Sequence, residues 1–268
     1  MKQLREDIRV LTHAAIRLVL KDEHHEDVVI YCDPFHLVET TADADLILVT
    51  HAHYDHYSVE DIAKVRKNGS EAIYPASMRG ETGDSGIDDA QEHYLAWNES
   101  LEFRGIKITA IPAYNPEKRF HPAAQQWIGY LLDDGTRRIY IAGDTDITPE
   151  AEMVRCDVAL LPIGGTYTMN AHEAATLAVI LRLQQMAATM PETDRQALAR
   201  RVAQLTMDYL YNTIQLTHSR QRLDDAIATL EQQGLYPLPD KRYTRKYWMF
   251  RRLVQSKMGR SLLLHIVR

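Results

Sequence analysis

The chain has 268 residues, a hydrophobic content of 45% and a formal net charge of −6 at pH 7, which suits one large α/β domain or one domain with an appendage. No apolar run approaches the roughly 20 residues that a membrane span needs, which argues against an integral membrane protein. Residues 1–7 lead into an apolar strand pattern without a signal-peptide core. Cys32 and Cys156 lie in or beside predicted strands and suit buried thiols rather than a disulfide framework. These features predict a cytoplasmic protein.

Strand patterns dominate the first 165 residues of the chain. The turn at 133–136 favours a hairpin between the strands on either side of it. Ser58 is a predicted helix cap with Asp61 three residues later, a variant of the capping box. The segments with strand character, in chain order, are 8–20 (one or two strands), 28–32, 46–49, 72–74, 101–103, 106–111, 127–132, 138–142 and 157–163.

Helix patterns dominate the remainder of the chain. Asn170 is a predicted cap with Glu173 at the third helical position. One further apolar segment, 262–267, has strand character. The predicted helices cover residues 174–190, 193–217 and a segment that carries Leu223, Ile227 and Leu230 on one face and ends at Gly234.

The most informative segment is residues 51–56, which read His-Ala-His-Tyr-Asp-His and directly follow the apolar strand 46–49. Because His51 and His53 alternate, an extended backbone points both to one side. Asp55 and His56 can then face a second ion as the chain turns. Zinc and similar metals favour this mixture of imidazole and carboxylate, and such groups crowded together without an ion would disfavour folding. The segment predicts a metal-binding loop.

This signature resembles that of the metallo-β-lactamase-fold hydrolases. Three further segments are similar to family strands: Tyr-Cys-Asp-Pro at 31–34, the strand ending in Gly-Asp-Thr within 139–146, and 160–169, which is similar to metal-dependent hydrolases related to the ascorbate-phosphate lactonases. The resemblance covers about residues 8–182. It implies an α/β fold, a metallo-β-lactamase-like αββα sandwich with a helical C-terminal portion. We therefore expect a hydrolase core over 1–182 and a helical, basic extension or diverged second half over 183–268.

The resemblance implies a site with two divalent metal ions, zinc or alternatively manganese or iron. His51 and His53 would hold the first ion, Asp55 and His56 the second, and Asp144 would bridge them. A water shared between the ions would attack a small, anionic ester, lactone or phosphoester. In this interpretation Asp55 and Asp144 are the catalytic carboxylates.

The resemblance breaks at the third histidine of the first ion, which the family takes from a loop after about residue 108. Asn115 stands at that position here, and His121 follows six residues later. His121 is either a ligand from a longer loop or a residue of the rim. Asp33 is expected to fix a histidine tautomer as a hydrogen-bond acceptor. His13 either lines the site or is a polar position on a half-buried strand.

A second break concerns the last histidine of the second ion, which relatives take from a further strand. No such segment follows Met169. His172 is expected to face solvent, which leaves His218 and His265 as candidates. The helical stretch 183–260 is an insertion, a replacement or a dimerisation element, and the last of these would make the protein a homo-oligomer.

The charge is distributed unevenly along the chain. Residues 241–268 carry nine Lys or Arg and no acidic residue, whereas residues 1–240 carry 22 basic and 37 acidic side chains. The basic tail could dock on its own acidic body, on a partner subunit or on nucleic acid. Its interleaved aromatic residues suit base stacking or a packed amphipathic helix; they are Tyr243, Tyr247, Trp248 and Phe250.

Three functions are therefore kept open. The leading one is a metal-dependent hydrolase acting on a small molecule. The second is a catalytically impaired metal-binding scaffold, which the missing histidines motivate. The third is a nucleic-acid-processing enzyme of the same fold, which only the basic tail favours; nucleic acid is not the expected partner.

Overall fold

The computed structural model describes residues 7–83, 85–189, 191–232, 234–241 and 243–267, with the side chains of 187–189 outside that description. The chain forms two compact units, Met1–Ala188 and Thr189–Arg268. The boundary expected after residue 182 falls inside a helix, Ala171–Thr189, which belongs almost entirely to the first unit. Among the described residues, no helix combines the length and the apolar character that crossing a bilayer requires.

The first unit contains all the strands of the described chain and three of its helices. The strands are β1 (Ile8–Thr12), β2 (Ala15–Lys21), β3 (Asp27–Cys32), β4 (Ala44–Leu48), β5 (Arg66–Pro75), β6 (Glu92–Leu95), β7 (Ser100–Phe103), β8 (Ile106–Pro112), β9 (Ile128–Asp133), β10 (Arg138–Ile141) and β11 (Val158–Leu160). The helices are α1 (Val59–Val65), α2 (Pro149–Met153) and α3 (Ala171–Thr189), and short 3-10 turns lie at Ala76–Met78, Asp89–Gln91 and Ala123–Gln125.

The strands form two sheets. The first has the order β1-β2-β3-β4-β5-β6, and the second has the order β11-β10-β9-β8-β7. Strands β3 to β6 run parallel to one another, whereas β2 is antiparallel to β1 and β3, and β7 to β10 form antiparallel pairs. Because the carboxyl ends of parallel strands meet at one edge, the loops that follow β3 and β4 come together there.

The core of this unit lies between the two sheets. Strand β4 and the residue after it illustrate how the two faces of the first sheet are covered. Leu46 and Leu48 belong to the apolar cluster between the sheets. Ile47 and Val49 point to the other face and pack with Ile62 of α1. This alternation is the period-two geometry of a strand, and a strand covered on both faces is apolar throughout.

The second sheet is covered in the same way on its outer face. Tyr140 and Ala142 pack there against Leu177 and Leu181 of α3, and Ala151 of α2 joins them. The layers are therefore helix, sheet, sheet, helix. The predicted αββα sandwich is confirmed.

Several predicted local features are also present. Asp61 donates its backbone N–H to the Ser58 side chain at 3.3 Å, which caps α1. Asn170 accepts from the Glu173 backbone N–H at 3.0 Å, and the Glu173 carboxylate accepts from the Asn170 backbone N–H at 2.7 Å, which is a complete capping box. Strands β9 and β10 pair antiparallel across the predicted turn.

The second unit is helical and has its own apolar core. Tyr247 and Phe250 are buried in that core, so these two aromatic residues of the basic tail belong to a packed amphipathic helix. Arg242 and Arg268, which contribute to the tail's charge, lie outside the described residues. The helices are α4 (Glu192–Thr217), α5 (Arg220–Gln232), α6 (Arg245–Val254) and α7 (Lys257–Ile266).

The prediction of a strand at residues 262–267 is wrong, because the chain is helical there up to Ile266. Helix α7 begins after Ser256, whose hydroxyl accepts the backbone N–H of Gly259 at 2.9 Å. Leu263 is buried on the inner face, whereas Leu262 is exposed. A short apolar run does not distinguish a strand from a helix by periodicity alone, and here the cap and the core of the second unit decide in favour of the helix.

Candidate metal centre

A cluster of histidine and aspartate side chains lies at one end of the sandwich in the first unit, and several separate loops build it. The turn between β1 and β2 places His13, and the loop after β4 places residues 51–56. The long loop between β8 and β9 places His121, and the segment after β10 places Asp144. Residues far apart in the sequence therefore meet at the ends of their strands.

The first group of donors consists of His51, His53 and His121. One ligand atom from each lies within 4.8 Å of the others, and His51 Nε2 is 3.1 Å from His53 Nδ1. The indole of Trp127 packs against these rings, with centroid distances of 4.8 Å to His51 and 4.7 Å to His53. The structure thus brings His121 together with the two histidines of the motif.

The second group of donors consists of Asp55, His56 and His13, again with ligand atoms within 4.8 Å of one another. Asp55 Oδ2 lies 3.9 Å from His56 Nε2 and 3.7 Å from His13 Nε2. His51 and His53 thus belong to one group and Asp55 and His56 to the other, while His51 and His56 also meet in a third group with Asp144.

Asp144 lies between the two groups. Its Oδ2 atom is 3.3 Å from His121 Nε2 in the first group and 3.6 Å from His56 Nε2 in the second. It also forms a third cluster with His51 and His56. This is the position that a bridging carboxylate would occupy.

Asp33 orients His56. It is buried, and its Oδ2 lies 2.8 Å from His56 Nδ1. The backbone N–H and hydroxyl of Thr50 both donate to this carboxylate, at 2.8 and 2.7 Å. The carboxylate oxygens of Asp33 accept these hydrogen bonds, so Nδ1 is the donor of His56 and Nε2 is the nitrogen that faces the site. The structure thus contains the contact that the sequence predicted for Asp33.

His121 is oriented by backbone groups. Its Nδ1 lies 3.1 Å from the carbonyl oxygen of Tyr167, which can only accept, so Nε2 is free to bind an ion. Asn115, at the position where the resemblance expects a ligand, lies beside His121 in the same loop. It holds the loop, since its backbone N–H donates to the His121 carbonyl at 2.8 Å and its side-chain amide donates to the Phe120 carbonyl at 2.9 Å.

The electrostatics of the cluster favour cations. Burial, reinforced by the neighbouring imidazoles, holds the pKa of His51 well below its usual value. Burial also disfavours charge on His56, but Asp33 and Asp144 outweigh it and raise the pKa of His56 to about 10. Burial alone would raise the pKa of Asp144, yet the imidazoles of His121 and His56 hold it well below its usual range. The site therefore combines a neutral imidazole on His51 with an ionised carboxylate on Asp144.

Two buried nitrogen atoms show that the donor set fits metal ions. His56 Nε2 and His121 Nε2 have no hydrogen-bond partner among the described residues, although both are inaccessible to solvent. A buried polar group left in this state costs about 1–3 kcal/mol. Since imidazole and carboxylate are the preferred donors of zinc and related ions, ions bound between these side chains would satisfy both atoms.

A cavity of about 480 Å³ opens beside the cluster. Its polar lining comprises the cluster residues His13, Asp33, Asp55 and Asp144, together with Tyr167 and Thr168. None of the described residues that line it is Lys or Arg. Its apolar wall consists of Val10, Ala14, Ile141, Leu160, Leu161, Pro162 and Ile163.

The other histidines considered as ligands take no part in these groups. His172 is exposed at the start of α3, as predicted. His218 and His265 are exposed in the second unit. None of the three belongs to a donor cluster in the part of the chain that the structure describes.

Comparison with known proteins places the core among metal-dependent hydrolases. Residues 27–191 match the family described as Beta-lactamase superfamily domain. A UPF0173 metal-dependent hydrolase of Thermococcus onnurineus is 31% identical over 188 residues, which cover 65% of this chain and 80% of the relative. A UPF0173 metal-dependent hydrolase of Thermoplasma acidophilum is 37% identical over 134 residues, which cover 47% of this chain and 56% of the relative.

Solved structures agree with this similarity. The crystal structure of a candidate metal-dependent hydrolase from Parabacteroides distasonis aligns with a TM-score of 0.55 and 31% identity, and covers 65% of this chain and 76% of its own. Igni18, a metallo hydrolase from Ignicoccus hospitalis, shares the fold with a TM-score of 0.51 and 24% identity, over 65% of this chain and 78% of its own.

Proposed function

The chain belongs to the metallo-β-lactamase-fold hydrolases of the beta-lactamase superfamily, and we propose that it hydrolyses a small ester or lactone at a centre of two divalent metal ions. The observation that carries this proposal is the position of Asp144, within 3.6 Å of a donor nitrogen in each of two adjacent donor groups. One bridging carboxylate between two groups is the arrangement that a two-ion hydrolytic site needs.

In this proposal the two donor groups hold one ion each. His51, His53 and His121 hold the first, Asp55 and His56 hold the second, and Asp144 is shared. Zinc suits the donor set, with manganese or iron as alternatives. The free, buried thiols of Cys32 and Cys156 support a reducing compartment, and hence a cytoplasmic location.

The bound ions would lower the pKa of a water molecule and polarise the scissile bond. The chain's own residues prepare the site for this chemistry. Asp33 holds His56 in one tautomer, and the Tyr167 carbonyl does the same for His121. Asp55 and Asp144 both line the cavity, where the Asp55 carboxylate would accept the proton of the attacking water.

The cavity supports an ester or lactone with an apolar group. Seven of its lining residues carry aliphatic side chains, and no Lys or Arg is present among its described lining residues to neutralise a phosphate. The ions themselves would then be the positive charge next to the substrate. A small phosphoester, the anionic substrate expected from the sequence, remains the alternative that the same chemistry allows.

Turnover of reporter substrates tests the proposal. The metal-replete protein should hydrolyse chromogenic acyl esters or lactones faster than a chromogenic phosphodiester, and chelation by EDTA should abolish the activity. Re-addition of zinc or manganese should restore it, and His51→Ala should remain inactive throughout. Activity that is insensitive to EDTA, or no turnover by the metal-replete protein on any of these reporters, would contradict the proposal.

A further inference from the structure

The resemblance implies a last histidine for the second ion from a later strand, no such segment follows Met169, and we propose that His13 supplies this ligand. This inference rests on the two-ion site proposed above. It assigns a metal-binding role to the turn between β1 and β2, at the opposite end of the chain from the segment that would ordinarily provide the ligand.

The donor atoms are already close to ligand spacing. His13 Nε2 lies 3.7 Å from Asp55 Oδ2, which lies 3.9 Å from His56 Nε2, and all three donors fall within 4.8 Å of one another. Zinc bonds of about 2.0–2.1 Å place tetrahedral donors roughly 3.4 Å apart. Small side-chain rotations would therefore bring the three donors onto one ion.

An unsatisfied buried atom marks the same place. His56 Nε2 is inaccessible to solvent and without a hydrogen-bond partner in the described part of the chain. It lies 3.9 Å from Asp55 Oδ2 and 3.6 Å from Asp144 Oδ2, and the ring of His13 meets that of His56 edge to face at a centroid distance of 5.6 Å. An ion at this point would bind His56 Nε2, Asp55 and His13 together.

The fold holds His13 in position. Its backbone lies in the left-handed region, with φ of 48°, in the short link that joins β1 to β2. The ring of Phe35 packs against its imidazole edge to face, at a centroid distance of 5.9 Å. The His13 side chain is 49% exposed, so it stands at the cavity mouth. A ligand at the mouth leaves positions on the ion open for water and substrate, as a catalytic site requires.

The backbone conformation suggests a substitution that tests the ligand alone. Asn tolerates the left-handed region better than Ala does, so His13→Asn removes the imidazole and preserves the turn. His25→Asn is the matched control, because His25 is exposed in another turn with φ of 65°. His13→Gly suits the same backbone and provides a second variant.

Titration of the metal-free protein with Co²⁺, followed by visible absorption and calorimetry, measures the number of ions bound per chain and the affinity for each, independently of enzymatic activity. The wild type and His25→Asn should bind two ions per chain. His13→Asn and His13→Gly should bind the first ion as the wild type does and the second at least about tenfold more weakly. Asp55→Asn should weaken binding of the same second ion. In the double variant His13→Asn with Asp55→Asn, the loss of binding free energy for this ion should be smaller than the sum of the losses in the two single variants.

A His13→Asn protein that binds both ions with wild-type affinity would overturn the assignment of His13 alone. A wild-type protein that binds one ion only would overturn the two-ion centre proposed above, and the assignment of His13 with it. Failure of the proposed hydrolysis is a third outcome, seen as a wild-type protein that binds two ions and hydrolyses none of the ester, lactone or phosphodiester reporters.

Discussion

Asp33 Oδ2 lies 2.8 Å from His56 Nδ1, and this contact decides which nitrogen of His56 faces the metal centre. Two hydrogen bonds from Thr50 hold the carboxylate in place, so strand β3 and the loop after β4 are joined at the point where the second ion would bind. The affinity of that ion should therefore depend on a residue that does not touch it.

Asp33→Asn should weaken binding of the second ion by about 10–100-fold. The amide can donate a hydrogen bond to Nδ1, which favours the tautomer that carries the proton on Nε2, and that tautomer cannot bind an ion through Nε2. Asn also tolerates the left-handed backbone of Asp33, whose φ is 48°. Calorimetric titration measures the change. Asp27→Asn, at the exposed start of the same strand, is the control and should bind as the wild type does; equal affinities in all three proteins would refute the role of Asp33.

His121→Asn should weaken binding of the first ion by at least about tenfold, since it removes one of three imidazoles. His121 has φ of 57°, so Asn preserves the loop. His218→Asn is the matched control, because His218 is exposed at φ of 45° and was itself a candidate ligand. Metal affinity measured for both variants would contradict the assignment if the His218 variant, rather than the His121 variant, lost an ion.

Gly143→Ala should destabilise the protein by about 1–3 kcal/mol and also weaken metal binding. Gly143 has φ of 65°, and an added Cβ would lie 3.2 Å from Thr50 Cβ, which would displace the adjacent Asp144. Gly135→Ala separates the two effects, since Gly135 has φ of 80° and open space around it. The control should lose stability in urea denaturation and keep its metal affinity. Unchanged metal affinity in Gly143→Ala would show that Asp144 does not depend on this glycine.

The stability of the first unit should depend on pH through Asp61, which is buried under the link between β3 and β4. Burial raises the pKa of its carboxyl, but hydrogen bonds from Ser58, Lys64 and the backbone N–H groups of Leu37 and His36 outweigh it and lower that pKa. A depressed pKa in the folded state means that Asp61 contributes stability above its unfolded pKa of about 3.9 and loses it as the pH falls through the folded value.

Asp61→Asn should therefore lower the free energy of unfolding by about 2 kcal/mol at pH 7, and this difference should shrink as the pH falls below about 4. Urea denaturation at several pH values measures it. Glu60→Gln is the control, because the neighbouring Glu60 side chain is 84% exposed and its loss should change little. If the difference in the free energy of unfolding between the wild type and Asp61→Asn grew as the pH fell, the predicted direction of the pH dependence would be wrong.

The sequence predicted the parts of the site that lie close together along the chain. The spacing of His51, His53, Asp55 and His56 indicated that these side chains gather in one loop, because a strand followed by a turn limits where each of them points; their assignment to two ions stays a prediction. The cap at Ser58 was recognisable for the same reason, since a capping box involves residues three apart.

Contacts made across the sandwich were harder to predict from the sequence. Whether His13 and His121 reach the cluster depends on how loops from both sheets close around it, and neither lies in a spacing that shows this. Trp127, which packs on the histidine rings, gave no signal beyond its place before β9. The apolar run at 262–267 was misjudged because the packing of the helical unit decides its conformation, whereas its residue types suit either form.

The most direct test of the two-ion centre is the metal content per chain, measured by elemental analysis of protein purified without chelator, beside Asp144→Ala prepared in parallel. The structure predicts close to two equivalents of zinc, manganese or iron in the wild type and a clear loss from both positions in the variant, because Asp144 contacts both donor groups. A wild-type protein with one equivalent or none after incubation with excess metal, or an Asp144→Ala protein that keeps two, would contradict it.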